Sequence, residues 1–278
     1  VAAPLLLDAN PAPTESDALD AMGGVLCRCS GYRKIVDAVL HARATPEPQT
    51  SPEPGHAVGA RITRLDGRRK VEGKEHFGAD AWPADTLVLR AIRSPHHRAR
   101  FTFGDLRGFV SAHRGIAAVL TAEDVPGENI YGVIPPFADQ PVFATDEARF
   151  RGEAVAAIVG EASAMAELDL GTFPIRWEEL PAITSLDAAL ADEAPLVHAS
   201  REGNVLVRGR VVRGDVERAL ASADVVVGGE FETGFVEHAY IEPEAGYARR
   251  VGDRIEIAAC TQAPYMDRDD VAPILGMA

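Results

Sequence analysis

The rhythm of apolar and polar positions changes several times along this chain, and each change marks a new stretch of structure. Residues 1–45 carry helical spacing. Thr14 stands as an N-cap before Glu15, Asp17, Leu19 and Met22, with acidic residues where the helix dipole favours them. Gly23-Gly24 ends that helix. A second begins near Tyr32 and gathers Ile35, Val36, Val39 and Leu40 on one face. Helices this short need packing partners. Residues 44–57 hold four prolines at alternating spacings, which predicts an extended, solvated linker.

Beyond the linker the pattern becomes mixed. Leu87 to Ile92, Ala117 to Leu120, Ala154 to Val159 and Phe173 to Trp177 read as strands, with turns or helix starts at Thr121 and Glu161. From about residue 184 a further unit begins. Asp215 caps a short helix through Leu220, and Val225-Val226-Val227 opens an expected strand toward Phe231. Gly252-Asp253 turns a hairpin between Tyr247–Arg250 and Arg254–Ile257. These signals predict an α+β multi-domain chain divided as 1–45, 46–57, 58–183 and 184–278.

Composition adds few constraints. The 278 residues are 46% hydrophobic and 25% charged, ordinary for a globular protein, and no apolar run approaches the roughly 18 residues of a membrane helix. A net charge of −14 argues against a nucleic-acid surface. Three cysteines, Cys27, Cys29 and Cys260, are too few and too uneven for a secreted disulfide framework, so a reducing compartment or a metal role is expected. The sequence starts at Val1 without methionine, and it stops at Ala278 just after a helical pattern. Both ends read as cut: the sparse cysteines favour a cytoplasmic location, and a periplasmic one stays open because a targeting signal would lie out of view.

Cys27-Arg28-Cys29 is the sharpest local feature. On a helix, residues two apart point ~200° away from each other, so such a pair chelates one metal centre only from irregular backbone. Gly23, Gly24, Ser30 and Gly31 supply a loop of that kind. Thiolates so presented suit an iron–sulfur cluster or a zinc ion, and two unremarkable thiols are the bland alternative. A four-cysteine cluster needs two further ligands, and Cys260 lies in a different unit, so the missing ones are expected from outside the chain.

The run Gly24-Val25-Leu26-Cys27-Arg28-Cys29-Ser30-Gly31-Tyr32-Arg33-Lys34-Ile35-Val36 resembles the end of the helical [2Fe–2S] domain in molybdenum hydroxylases of the xanthine dehydrogenase and aldehyde oxidoreductase kind. The resemblance continues through Arg93-Ser94-Pro95-His96, Asp139 to Ala144, Phe150 to Ala156 and Glu178 to Pro181, which are similar to the family's hammerhead domain. Asn204, Gly214-Asp215-Val216, Ala223 to Val226, Phe235 to Pro243 and Thr261-Gln262-Ala263-Pro264 then resemble the start of its molybdopterin-binding region.

This resemblance implies a [2Fe–2S] cluster on Cys27 and Cys29, with Cys29 bridging toward a molybdenum–pterin cofactor and Gln262 near the molybdenum. It implies hydroxylation of an aldehyde or N-heterocycle with oxygen from water. The absence of an intervening flavin segment looks like the branch that hands electrons to a separate acceptor: a flavoprotein, a cytochrome or another carrier. The expected partners are the remaining segments or chains of the same enzyme, that acceptor and a small-molecule substrate, with no nucleic acid and no membrane span. The family's base glutamate falls outside these residues, so the catalytic residue is unknown and the segment alone is expected to be incomplete. A non-catalytic scaffold, a split-subunit piece and a zinc-binding interaction module are the competing readings.

Three histidine sites read as structural. His96-His97 among arginines suits a solvated loop, His198 a turn, and Glu237-His238 with Tyr240 and Glu242 a hydrogen-bonded strand row. No phosphate-binding glycine loop or nucleophile elbow is present in the sequence.

Overall fold

The computed structural model describes every residue except 1, 28, 29, 45–50, 61, 235, 237–239, 241, 243 and 278. The chain falls into two compact units, Val1–Glu75 and His76–Ala278.

The first unit is helical: α1 (Ala2–Ala9), α2 (Glu15–Met22), α3 (Arg33–Leu40) and the short α4 (Gly67–Val71). Thr14 does cap α2. Its hydroxyl accepts the Asp17 amide, and the Asp17 carboxylate accepts the Thr14 amide at 2.8 Å, a reciprocal capping box. Ala18, Val36 and Val39 form the buried core, with Leu6, Tyr32 and Leu40 packed against it. Ile35, expected on the same face, is exposed. The Arg43 guanidinium donates to the Leu7 carbonyl at 2.9 Å, satisfying a C-terminal carbonyl of α1. Residues 51–57 of the expected linker form no helix or strand, and 45–50 lie outside the described residues.

The second unit opens with two antiparallel sheets. In one, β1 (Val88–Arg93) and β3 (Ile116–Leu120) flank β5 (Ala154–Gly160); in the other, β4 (Glu147–Ala148) and β6 (Ile175–Glu179) flank β2 (Ala99–Phe103). β5 is an unbroken apolar run, the pattern of a strand buried on both faces, and Val155, Ala156, Ala157 and Ile158 are fully buried in it. The helices α5 (Leu106–Ala112) and α6 (Ala162–Glu167) contribute Phe109 and Met165 to the same core.

The strand expected from Phe173 starts at Ile175 instead, because Phe173 is drawn into an aromatic cluster. Its ring meets Phe103 and Phe109 edge-on, at 6.2 and 5.5 Å between centroids. β2 alternates buried and exposed residues and pairs Phe101 directly with Trp177.

The same unit continues through α7 (Leu186–Leu190), α8 (Val216–Ala221), the hairpin β7 (Gly246–Val251) and β8 (Arg254–Ala259), and α9 (Pro264–Ile274). Asp215 caps α8 by accepting the Arg218 amide. Gly252 takes φ +65° at the first position of the two-residue hairpin loop, where a II′-type turn demands positive φ.

One strand expectation is corrected. Residues 225–231 form no ladder, and Val225, Val227 and Phe231 stand exposed. β-branched propensity makes a strand only when a neighbouring strand satisfies the backbone, and these residues pair with none among those described.

Asn204 organises the turn before them. Its amide donates to the carbonyls of Ala189 and Pro195, and its oxygen accepts the Val197 amide. No described helix is long and apolar enough to cross a membrane.

Candidate functional site

Cys27 sits half-buried in the loop between α2 and α3, on backbone that is neither helix nor strand, as a C-x-C metal pair requires. Gly31 and Tyr32 both take left-handed backbone, with φ of 63° and 60°. This reverses the chain and swings the Tyr32 side chain back over the loop. Its hydroxyl accepts the Cys27 amide at 2.5 Å and donates to the Val25 carbonyl at 2.9 Å. The Tyr32 amide donates to Ser30 Oγ at 3.3 Å. Cys29, the second expected ligand, lies outside the described residues. Cys260 belongs to the second unit, where its thiol donates to Glu244 at 3.4 Å.

Gln262 lies exposed in the loop joining β8 to α9, immediately after the strand as expected. Thr261 Oγ1 accepts the Ala263 amide at 2.9 Å, a side-chain turn that starts the helix. Thr261 and Pro264 border a recess of about 1040 Å³ within the second unit, whose walls include Phe77, Tyr131, Tyr247, Ile257 and Val271. Gln262 does not line it.

Two backbone bonds fix the far end of α9 beside this recess. The Gly127 amide donates to the Ile274 carbonyl at 2.9 Å and the Glu128 amide to the Pro273 carbonyl at 3.0 Å. Partial burial in the wall pushes the Tyr131 phenol up. Register in the hairpin behind the recess is marked by Arg249 opposite Glu256, paired at 2.8 Å, and Glu256 is held below the usual carboxylate range by Arg249 and Arg254.

The histidine readings resolve separately. His96 tilts against Trp177, with 5.9 Å between ring centroids, and lies 3.5 Å from Glu179, while His97 is exposed. His198 sits in a turn 3.7 Å from Asp139, whose carboxylate accepts the Arg201 guanidinium at 2.5 Å. The expected row at 237–242 falls largely outside the described residues. Its visible members depart from expectation: Tyr240 is exposed, and Glu242 accepts the Gly78 amide at 3.4 Å from a bend. No group of His, Cys, Asp and Glu residues that could hold a metal ion occurs among the described residues.

Tyr32 and Tyr131 were not foreseen as site residues. The Ser30-Gly31 turn signal could have shown that Tyr32 folds back, but no sequence signal brings Phe77 and Tyr131 to α9.

Three family patterns match this chain in order: a [2Fe-2S] binding domain over residues 1–40, the a/b hammerhead domain of aldehyde oxidase and xanthine dehydrogenase over 72–181, and a molybdopterin cofactor-binding domain over 197–278. The large molybdopterin subunit of nicotinate dehydrogenase from Eubacterium barkeri is 30% identical over 221 residues, 79% of this chain and 51% of that one. Aldehyde oxidoreductase from Megalodesulfovibrio gigas is 30% identical over 273 residues, 89% of this chain and 29% of that one. The solved structure of aldehyde oxidoreductase from Desulfovibrio gigas superposes with a TM-score of 0.74 at 29% identity, covering 100% of this chain and 33% of that one. The chain belongs to the molybdenum hydroxylase family of xanthine dehydrogenases and aldehyde oxidoreductases. It spans between about a third and half the length of these relatives.

The donor chemistry of Cys27 and Gln262 is compatible with the cofactors of the matched domains. A thiol on irregular, hydrogen-bonded backbone is the donor an iron–sulfur cluster takes, and an exposed amide offers a donor and an acceptor without charge.

Proposed function

We propose that the protein carrying this segment oxidises an aldehyde or an N-heterocycle with water as the oxygen source, releasing two electrons and two protons per turnover. The observation that carries this reading is the uninterrupted order of cluster domain, hammerhead domain and molybdopterin domain in one chain. When bound, the molybdenum–pterin cofactor supplies the oxygen-transfer chemistry and the [2Fe–2S] cluster the electron exit.

In this reading Cys27 and Cys29 would be the thiolate ligands of the cluster, Cys29 would also serve its electronic link to the pterin, and Gln262 would offer its amide to the molybdenum cofactor. The remaining cluster ligands and the general base are supplied by sequence or chains other than these residues. Electrons pass to a separate flavoprotein, cytochrome or other carrier. Cysteine usage favours the cytoplasm, with the periplasm as the alternative that cell fractionation separates.

The test is metal analysis and turnover of the complete enzyme, with Cys27→Ser and Cys29→Ser beside the wild type. Iron and molybdenum in the wild type, loss of one cluster's signal in each variant, and label from oxygen-18 water in the product are expected. Zinc without iron would overturn the reading in favour of a zinc-binding module. Neither iron nor molybdenum would favour a scaffold.

A further inference from the structure

We infer that Tyr32 is a positioning residue for the cluster ligand Cys27, acting through one hydroxyl that staples the loop. The inference rests on the proposed role of Cys27 as a ligand. The Tyr32 ring packs against the buried Ala18, Val36 and Val39, so its aromatic end is anchored in the helical core. Its hydroxyl accepts from Cys27 N and donates to Val25 O, so both capacities of one oxygen are spent across a three-residue stretch. Between those two bonds Leu26 is thrown outward, 90% exposed, and the backbone immediately before the thiol is fixed to the core.

The chain holds an unfavourable conformation to achieve this. Tyr32 keeps left-handed backbone, which a bulky side chain adopts only when its surroundings enforce it. Here the enforcement comes from the left-handed Gly31 before it, the Ser30 hydroxyl that accepts its amide, and the first turn of α3 after it.

The arrangement also has an electronic side. Amide N–H groups near a cluster commonly donate to sulfur, and such bonds set its potential and stability. The Cys27 N–H instead faces the phenol, so the tyrosine both orients the ligand and withholds a donor. Removing the hydroxyl frees that donor and loosens the ligand together.

The experiment compares wild-type holoenzyme with Tyr32→Phe, Val39→Ala and Cys27→Ser, reading iron release to a chelator and the electron paramagnetic resonance of the reduced cluster. Tyr32→Phe is expected to keep the cluster but release its iron about tenfold faster, the scale of one or two lost hydrogen bonds, and to shift its g-values. Val39→Ala, which weakens the same helical core without touching the loop, is expected to keep wild-type g-values. An equal spectral shift in Val39→Ala would reduce Tyr32 to ordinary packing and overturn the inference.

A Cys27→Ser enzyme with an unchanged cluster signal would sink the ligand reading itself. Loss of that signal, together with wild-type behaviour of Tyr32→Phe, would sink the tyrosine inference alone. Should Tyr32→Phe fail to fold, amide hydrogen exchange over residues 25–31 of the wild type decides: protection of Cys27 supports the staple and free exchange refutes it.

Discussion

At the scale of single residues, two side-chain choices carry more than their type suggests. Gly127 is required by space rather than by backbone angle. A β-carbon there would run into the Pro273 carbonyl and the Gly276 amide, both main-chain atoms that cannot swing aside. Gly127→Ala is expected to cost about 1–3 kcal/mol in denaturant unfolding, the usual penalty for forcing apart a close-packed contact.

Asp139 is the second case. The Arg201 guanidinium, bonded to its carboxylate, holds it below the usual range, with His198 and Arg149 adding to the effect. A carboxyl with a depressed folded pKa contributes stability that is present above its unfolded value of about 4 and is lost as pH falls through the folded value. Asp139→Asn should therefore lower the melting temperature at pH 7, and the gap to wild type should close as the pH is taken below 4. Paired thermal melts across that range measure it, and a constant gap would contradict the ion-pair account.

Among elements, β5 decides the integrity of the two-sheet unit, because it pairs on both edges and is buried on both faces. Ile158→Ala removes a fully buried side chain from its middle and is expected to cost about 2–5 kcal/mol by chemical denaturation. This strand was plain in the sequence, as were β3 and the hairpin, from an unbroken apolar run or alternation around a turn, and β1, whose apolar run is broken only by Arg90. β2 was not read as a strand, since Arg98 and Arg100 suggested a polar loop, although Ala99, Phe101 and Phe103 alternate inward.

The opposite error occurred at Val225 to Phe231, where the residues favour a strand but no described neighbour completes one. At the site, the Cys27 loop was legible because glycines and a C-x-C together exclude a helix. The role of Gln262 came only from resemblance, and the recess beside it is assembled from segments far apart in sequence, which no local pattern reports.

For the molecule as a whole, the two candidate sites belong to different units: Cys27 to the helical one, Gln262 to the mixed one. The chemistry proposed above needs both, together with the further cluster ligands and the base that the same proposal draws from outside these residues. The 278-residue chain alone is accordingly expected to show no turnover of aldehydes or purines with an artificial electron acceptor. Measurable product from it would mean that the ligand and base requirements have been misjudged.

The bare stretch around Val225 to Phe231 has a practical consequence for anyone handling the purified chain. Amides that pair with no described strand, flanked by β-branched side chains and with no charge from Val225 through Gly229, make a ribbon expected to add to a second molecule. Light scattering should rise with protein concentration, and Val227→Lys, which plants a charge in the ribbon, should flatten that rise while leaving the melting temperature unaltered.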